Sequence, residues 1–359
     1  MTSYDSSLAT TIRKGRSLLY GGCPGPVGPA GPPFDAPVTT AIYVDFLRPD
    51  SYVATGSRDY PFKTLGAAYL LAAATASDTN PKTIVLLSGN VVPENVTFSR
   101  GHIFLVGENS SGTHAPIIFT GALTFNSTTS ASISSNHFAI SGLELIGVSA
   151  PLTPTNVVTF AGTNPQRLFL KDVWITANQT AHGITMTNNG SGSSIHTNDC
   201  KFSHNGSGHY HCLNITAGTA NIDTTESSGS TVGIIGIAGG SCNISGCDLQ
   251  SGGDYVIDVY AAGSVSVANS KITTTVAGSS GIVLTHASAI AIVGNVTFSV
   301  PVNASGRAIK GVASSSPFGL YYGPMYFLPD GAGGTTSREI SSGMSRVAIQ
   351  STPLYTNVL

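Results

Sequence analysis

One stretch of this chain repeats at a nearly constant spacing, and the repeat constrains the fold more than any other feature. Between Arg167 and Val312, a short apolar segment recurs every 22 to 29 residues. The segments are centred on Ile184, Leu213, Ile235, Ile257, Val283 and Ile309. Apolar and polar residues alternate inside each segment, and an alternation of period two predicts strands rather than helices. A fixed period of this length is typical of stacked repeats.

A second segment follows the first in each repeat and ends on a small or polar turn before a large apolar residue. That residue recurs at intervals of 28, 47, 23 and 26 positions, at Trp174, Phe202, Leu249, Ile272 and Phe298. The interval of 47 spans two coils, with a degenerate copy near residues 225–227. The spacing leaves no room for a helix. The two segments therefore predict an all-β fold, a right-handed parallel β-helix whose stacked coils bury a core that no single coil can bury.

The composition fits a chain with many turns and few surface charges. Charged residues make up 9% of the 359 residues, against about 25% in an average globular domain. The net charge of −2, without a basic stripe, argues against a nucleic-acid partner. The sequence has no run of about 20 apolar residues, so no membrane span is predicted. The five cysteines match no zinc spacing and predict reduced, buried thiols, with a Cys242–Cys247 disulfide as the alternative.

Residues 1–40 predict an extended arm. They begin without the basic-then-apolar pattern of a secretory signal. Four Gly-X-Y triplets start at Gly22, Gly25, Gly28 and Gly31, and glycine at every third place is the collagen pattern, because only glycine fits at the axis of a triple helix. Four triplets are too few to hold a triple helix alone. The arm is therefore either a single polyproline strand or a short three-chain stalk that needs a trimeric body.

Residues 41–80 predict a separate unit with one strand and one helix. The helix covers residues 61–74, starting at a proline, which suits the first helical position. Phe62, Leu65 and Tyr69 recur on one face of this helix. Such an amphipathic helix can cap the open end of a β-helix, which otherwise exposes unpaired strand edges.

The rest of the chain divides into two parts. Residues 81–315 form the predicted β-helix. Residues 316–359 break the repeat and are rich in aromatic side chains, which predicts either a C-terminal cap or a subunit contact, since both use an aromatic surface.

The order of the N-terminal motifs resembles a known family. A strand is followed by Gly56-Ser, Tyr60-Pro-Phe-Lys-Thr-Leu, Thr83-Ile-Val-Leu-Leu-Ser-Gly and Ile103-Phe-Leu-Val-Gly-Glu. This order is similar to the opening of pectin-lyase-like β-helix proteins, which include polysaccharide lyases, glycoside hydrolases and viral tailspikes. The collagen-like arm resembles fibre, spike and minor capsid proteins of large DNA viruses and phages. The first resemblance covers residues 41–315 and implies the fold, but a fold does not imply an activity.

The acidic residues of the repeat are the candidates for catalysis. Glycoside hydrolysis needs two carboxyl groups close together on one face. Asp172, Asp199 and Asp248 fall at nearly equivalent places in their coils and are the fallback catalytic candidates. Each lies in or beside a turn, where aspartate commonly bonds its own backbone. Lyases with the resembled fold use calcium-binding carboxylates and a catalytic arginine or lysine, and the sequence shows no acidic cluster beside its lysines. We therefore expect no enzymatic activity, no metal and no cofactor.

Histidines form the other polar group in the repeat. His182 and His211 each lie two residues before the centre of their segment, and His209 is nearby. We expect His182 and His211 to stack one coil apart. A metal site would need converging neutral imidazoles with a defined second shell. The simpler prediction is a polar ladder or glycan-binding surface on the outer face.

The function that the sequence favours is that of a structural virion protein. It would be a spike, fibre or minor capsid component located in the virion, a homotrimer, and joined to other capsid proteins through its N-terminal arm. Its surface would bind host glycans. The alternative is a polysaccharide lyase or glycoside hydrolase on the same scaffold.

Overall fold

The computed structural model describes most of the chain from residue 41 onward. The described residues are 41–49, 51–87, 91–108, 118–128, 136–146, 156–179, 181–206, 210–230, 233–301, 307–312, 319–328, 345–348 and 356–357. The predicted arm, with Gly22, Gly25, Gly28 and Gly31, lies outside these residues, and so does His209.

The described strands pair in parallel with the equivalent strands of neighbouring coils, so three sheets run along the stack. The first sheet contains β4 (Val96–Phe98), β7 (Leu123–Phe125), β9 (Val158–Phe160), β11 (Ile184–Met186), β14 (Leu213–Ile215), the N-terminal parts of β17 (Ile235–Ser245) and β19 (Tyr255–Ala268), β21 (Ser280–Leu284) and β24 (Ile309–Gly311). The predicted right-handed parallel β-helix is confirmed.

The other two sheets complete each coil. The second contains β1 (Ala41–Val44), β2 (Lys82–Leu86), β5 (Ile103–Gly107), the N-terminal parts of β8 (His137–Ile146) and β10 (Arg167–Gln179), β12 (Ser194–Asn198), β15 (Thr219–Asp223), the C-terminal parts of β17 and β19, β22 (Ile290–Gly294), β25 (Gly319–Tyr322) and β27 (Ser345–Ala348). The third contains β3 (Val91–Val92), β6 (Ile118–Phe119), the C-terminal parts of β8 and β10, β13 (Lys201–Gly206), β16 (Glu226–Ser230), β18 (Asp248–Ser251), β20 (Lys271–Thr274), β23 (Val296–Ser299), β26 (Met325–Phe327) and β28 (Thr356–Asn357).

Apolar side chains stack in columns inside the coils, and two predicted positions are wrong by one residue. Ile282, not Val283, pairs with Ile257 and is fully buried. Ile175, not Trp174, pairs with Phe202 in the interior. A slip of one residue moves a strand side chain to the opposite face. Trp174 accordingly lies on the outside, 49% exposed.

The single helix of the described residues, α1 (Leu65–Thr75), packs against β1, β2 and β4 at the N-terminal end of the stack. It begins four residues later than predicted, because the Thr64 hydroxyl accepts a hydrogen bond from the backbone N–H of Ala67 and so caps the first turn. Its exposed side is also apolar, since Leu70 is 71% exposed. The helix is therefore less amphipathic than the sequence predicts.

The coils continue beyond residue 315, where the sequence placed a boundary. Strands β25 and β26 pair with β22 and β23, and β27 and β28 pair with β25 and β26 in turn. None of the four cysteines among the described residues forms a disulfide. In the same residues, no helix is both long and apolar enough to cross a bilayer.

Candidate functional site

The corner between the second and third sheets has the same backbone conformation in seven successive coils. The residue at the corner has a positive φ of 44° to 66° in each, at Gly142, Asp172, Asp199, Thr224, Gly246, Asn269 and Asn295. Aspartate, asparagine and glycine adopt this left-handed conformation more readily than other residues. The corner therefore explains why Asp172 and Asp199 recur one coil apart.

Asp248 is not equivalent to the other two aspartates, so this part of the prediction is wrong. Gly246 occupies the corner of its coil, and Asp248 comes two residues later in β18. There it pairs with Glu226 on one side and Lys271 on the other. These three side chains face outward, because the strand alternates and Leu249 points inward.

An open groove follows this edge of the stack. It has a volume of about 610 Å³, and its charged and aromatic lining residues are Asp199, Glu226, Asp248, Lys271 and Tyr326. Asp172 is not among the lining residues. The structure therefore brings two of the three predicted aspartates together and adds a glutamate that the sequence reasoning did not select.

The groove combines a pair of carboxyl groups with a cation. Glu226 and Asp248 are register partners on adjacent strands, and adjacent strands lie about 4.8 Å apart. Nζ of Lys271 lies 3.3 Å from Oδ2 of Asp248, and both side chains are about half exposed. One lysine, Lys271, therefore lies beside a pair of carboxyl groups that the sequence reasoning did not recognise. Among the described residues, no group of three or more His, Cys, Asp or Glu side chains is placed to hold a metal ion.

A second polar cluster lies on the outer face of the first sheet. The rings of His182 and His211 are parallel within 5°, with centroids 5.7 Å apart. Tyr260 stacks on His211 at 5.9 Å, and its hydroxyl donates to Oδ1 of Asn214 at 2.6 Å. The hydroxyl of Tyr255 lies 3.3 Å from Nε2 of His211. We call these five residues the imidazole–tyrosine cluster.

Burial sets the protonation of this cluster. Desolvation lowers the pKa of His182 to about 4, with His204 adding a smaller repulsion. Desolvation also raises the pKa of Tyr255, and the nearby carboxylate of Asp258 raises it further. Asp258 is itself 7% exposed and accepts a hydrogen bond from the Thr285 hydroxyl at 3.4 Å. The imidazole of His182 and the phenol of Tyr255 are therefore both uncharged at neutral pH.

Comparisons with known proteins identify the fold. No family model matches the sequence, and no curated protein matches it. Pectate lyase Pel9A aligns with a TM-score of 0.50 and 12% identity, over 85% of this chain and 78% of that chain. Pectin methylesterase PemA from Erwinia chrysanthemi aligns at 0.42 and 14%, over 85% and 92%. The A-module of mannuronan C-5 epimerase AlgE6 from Azotobacter vinelandii aligns at 0.44 and 11%, over 82% and 94%.

At these identities the likeness shows the pectin-lyase-like β-helix fold and assigns no reaction to this chain. The prediction that the chain is not an enzyme is nevertheless contradicted, because pectate lyase Pel9A, a carbohydrate-active enzyme, has the same fold. The residues that line the groove also contradict the assumption on which that prediction was based. The prediction assumed that the acidic residues do not converge, whereas Asp199, Glu226 and Asp248 line one groove.

Proposed function

We propose that this chain binds a polysaccharide along the groove and cleaves a glycosidic bond with Glu226 and Asp248. The observation that carries the proposal is the register pairing of these two residues on the outward side of the third sheet, beside Lys271. Glycosidases that retain configuration hold their two carboxyl groups about 5–5.5 Å apart. A strand spacing of about 4.8 Å places two outward carboxyl groups near that separation.

The two carboxyl groups take different roles in this proposal. Asp248, with the Lys271 ammonium beside it, attacks the sugar carbon and forms a covalent bond to it. Glu226 donates its proton to the leaving oxygen as the glycosidic bond breaks. Water then attacks the same carbon, gives a proton to Glu226, and releases the sugar from Asp248. Tyr326 lies on the groove wall and contributes an aromatic surface for binding.

The scaffold is compatible with this role, since pectate lyase Pel9A is similar in fold. Cleavage by elimination is the alternative reaction on such a scaffold, and the products separate the two. Hydrolysis adds water and gives two saturated ends, whereas elimination leaves an unsaturated sugar at one new end.

The test uses matched substitutions in the groove and outside it. The purified chain is incubated with a panel of neutral and acidic polysaccharides, pectate included, and the products are separated by chromatography. E226Q and D248N should each lower kcat by a factor of about 10² or more, the contribution expected of a lost acid, base or nucleophile. D172N is the control, because Asp172 occupies the same corner as Asp199 but lies outside the groove. Equal activity in all four proteins, or no product from any polysaccharide, would overturn the proposal.

As a second proposal, the chain is a virion component, namely a homotrimeric spike, fibre or minor capsid protein. Its arm joins it to other capsid proteins, and its surface binds host-surface glycans. The observation that favours it is the run of four Gly-X-Y triplets at Gly22, Gly25, Gly28 and Gly31. Light scattering of the full chain should give the mass of a trimer, and mass spectrometry of purified particles should detect the chain. A monomer at micromolar concentration would count against it. This role is compatible with cleavage of polysaccharides by the same chain.

A further inference from the structure

His182 links two coils through its side chain rather than through a strand. The backbone N–H of His211 donates to Nδ1 of His182 at 2.9 Å. A backbone N–H can only donate, so Nδ1 must be unprotonated for this bond to exist. The proton of the neutral ring is therefore on Nε2. This atom lies 3.3 Å from Nδ2 of Asn214, and because an amide nitrogen is also a donor, the contact is not a hydrogen bond in this tautomer.

The imidazole of His204 binds the same segment, next to His182, from the interior of the β-helix. His204 is fully buried inside the third sheet. Its Nε2 donates to the carbonyl oxygen of Ala181 at 3.0 Å, one residue before His182. The adjoining backbone bonds run from Gly183 N–H to the carbonyl of His211 at 3.1 Å and from Ile184 N–H to that of Cys212 at 2.7 Å. Residues 181–184 and 210–213 therefore meet between two imidazoles, and we call them the coil junction.

We propose that the coil junction is an acid-sensitive device, which opens locally when His182 and His204 become protonated while the rest of the β-helix stays closed. A proton on Nδ1 of His182 would make this atom a donor that faces another donor, the N–H of His211. The hydrogen bond between the two coils would then be lost. A proton on His204 would place a charge on a fully buried side chain, which costs free energy. The two positive charges would also repel each other across Ala181.

The groups that face the coil junction do not replace the lost bond. They are His211 and Tyr210 from the same junction, and Tyr255, Asp258 and Tyr260 from β19. The tyrosines carry no charge in acid. The carboxylates near Tyr255 are Asp258 and Asp254, which both raise its pKa. Asp258 pairs with Gly236, which pairs with Asn214, so Asp258 lies two strands away from Asn214. At a strand spacing of about 4.8 Å it is too distant to hold a charged His182 directly.

The direction of the pH effect follows from linkage. Burial lowers the pKa of His182 from 6.5 to about 4, and burial lowers the pKa of His204 as well. The open form therefore binds more protons than the closed form between about pH 6.5 and pH 4, so the closed form is fully favoured above this window and loses stability as the pH falls through it. With a pKa of 6.5 in the open form and about 4 in the closed form, His182 alone raises the equilibrium constant for opening by up to about 30-fold at pH 5. A solenoid opens locally because each coil contacts only its neighbours.

Hydrogen exchange of the full chain tests the proposal. Exchange is followed by mass spectrometry between pH 7.5 and pH 5 and corrected for the intrinsic effect of pH. Opening of the coil junction should rise by tens of fold, whereas residues 289–299 should change little. The variant H182N/H204Q should abolish the rise, because asparagine can still accept from His211 N–H and glutamine can still donate to Ala181, but neither takes up a proton.

His196 provides the matched control. Burial lowers its pKa to about 4 as well, but its ring lies on the second sheet, stacked on Phe169 at 4.9 Å. H196N should leave the acid response of the coil junction unchanged. Nitrogen NMR of the wild-type protein gives a measurement that needs no variant, since it should show the His182 proton on Nε2 at pH 7. A proton on Nδ1, or an acid response that survives in H182N/H204Q, would overturn the proposal.

Discussion

The groove and the imidazole–tyrosine cluster lie on the outside of the same coils, yet their polar groups are satisfied in different ways. In the groove, Asp248 and Lys271 form an ion pair in which both side chains remain about half exposed to water. On the first sheet, His211 is 2% exposed, Asn214 is 6% exposed, and each contacts a ring or hydroxyl from another coil.

The difference separates residues that are available for chemistry from residues that hold the coils together. An exposed ion pair contributes about 0–1 kcal/mol, because water replaces its interactions when it is removed. Removing one partner of a buried hydrogen bond costs about 1–3 kcal/mol, because the other partner remains buried without water. Substitutions in the groove should therefore change activity at little cost in stability, and substitutions in the cluster should do the reverse.

The largest expected effect on stability comes from adding a side-chain atom at Gly236, against the ring of His211. A Cβ added at Gly236 would lie 2.5 Å from Cε1 of His211, whose ring is stacked on Tyr260 on its outer side. G236A should therefore destabilise the protein by about 1–3 kcal/mol, the usual cost of overpacking. G294A is the control, since nothing lies within 4 Å of its added Cβ. Thermal unfolding of the two variants should differ clearly, and equal melting temperatures would show that the cluster is not tightly packed.

Replacing Tyr255 should have a smaller effect on stability and a distinct effect at high pH. Burial and Asp258 raise the pKa of Tyr255 above its ordinary value of 10. The folded state thus keeps a proton that the unfolded state loses above pH 10, so the stability from this group is complete below pH 10 and is lost above it. Y255F should cost about 1 kcal/mol at pH 7 for the lost contact with His211.

Absorbance titration of the tyrosines measures this effect. Burial raises the pKa of Tyr260 as well as that of Tyr255, so both tyrosinates should appear late in alkali, and Y255F should reduce the amplitude of that late step. Y326F, in the groove, is the matched control and should leave the late step in place. If all tyrosines of the folded protein titrated together near pH 10, Tyr255 would be as accessible as a groove residue.

The sequence predicts the repeat correctly but not which side chains meet across coils. The positions of Trp174 and Val283 are off by one because each has an apolar neighbour, so alternation alone does not choose the inward residue. Glu226 was not selected because its coil has Ser227 where other coils have a large apolar residue, and the copy was therefore recognised only as degenerate. The contact of His211 with Tyr260 needs the register of coils whose lengths differ, and no local pattern shows it.

The smallest expected effect is that of G246N at the corner beside the groove. Gly246 has a φ of 64°, and asparagine already occupies the same corner at Asn269 and Asn295 with φ values of 49° and 54°. An added Cβ would meet nothing closer than 3.8 Å. The free energy of unfolding should therefore change by only about 0.5 kcal/mol, and the variant can be slightly more stable because the unfolded chain loses the freedom of glycine.

The comparison with valine makes this last prediction specific to the backbone. G246V meets the same open surroundings, but a β-branched residue is strained at a positive φ, so it should melt at a lower temperature than G246N. G236A is destabilised because its added Cβ has no space, whereas G246V is destabilised because valine is strained at a positive φ. If G246N were as destabilised as G236A, the corner would be held by side-chain packing, and the groove edge would be as tightly built as the first sheet.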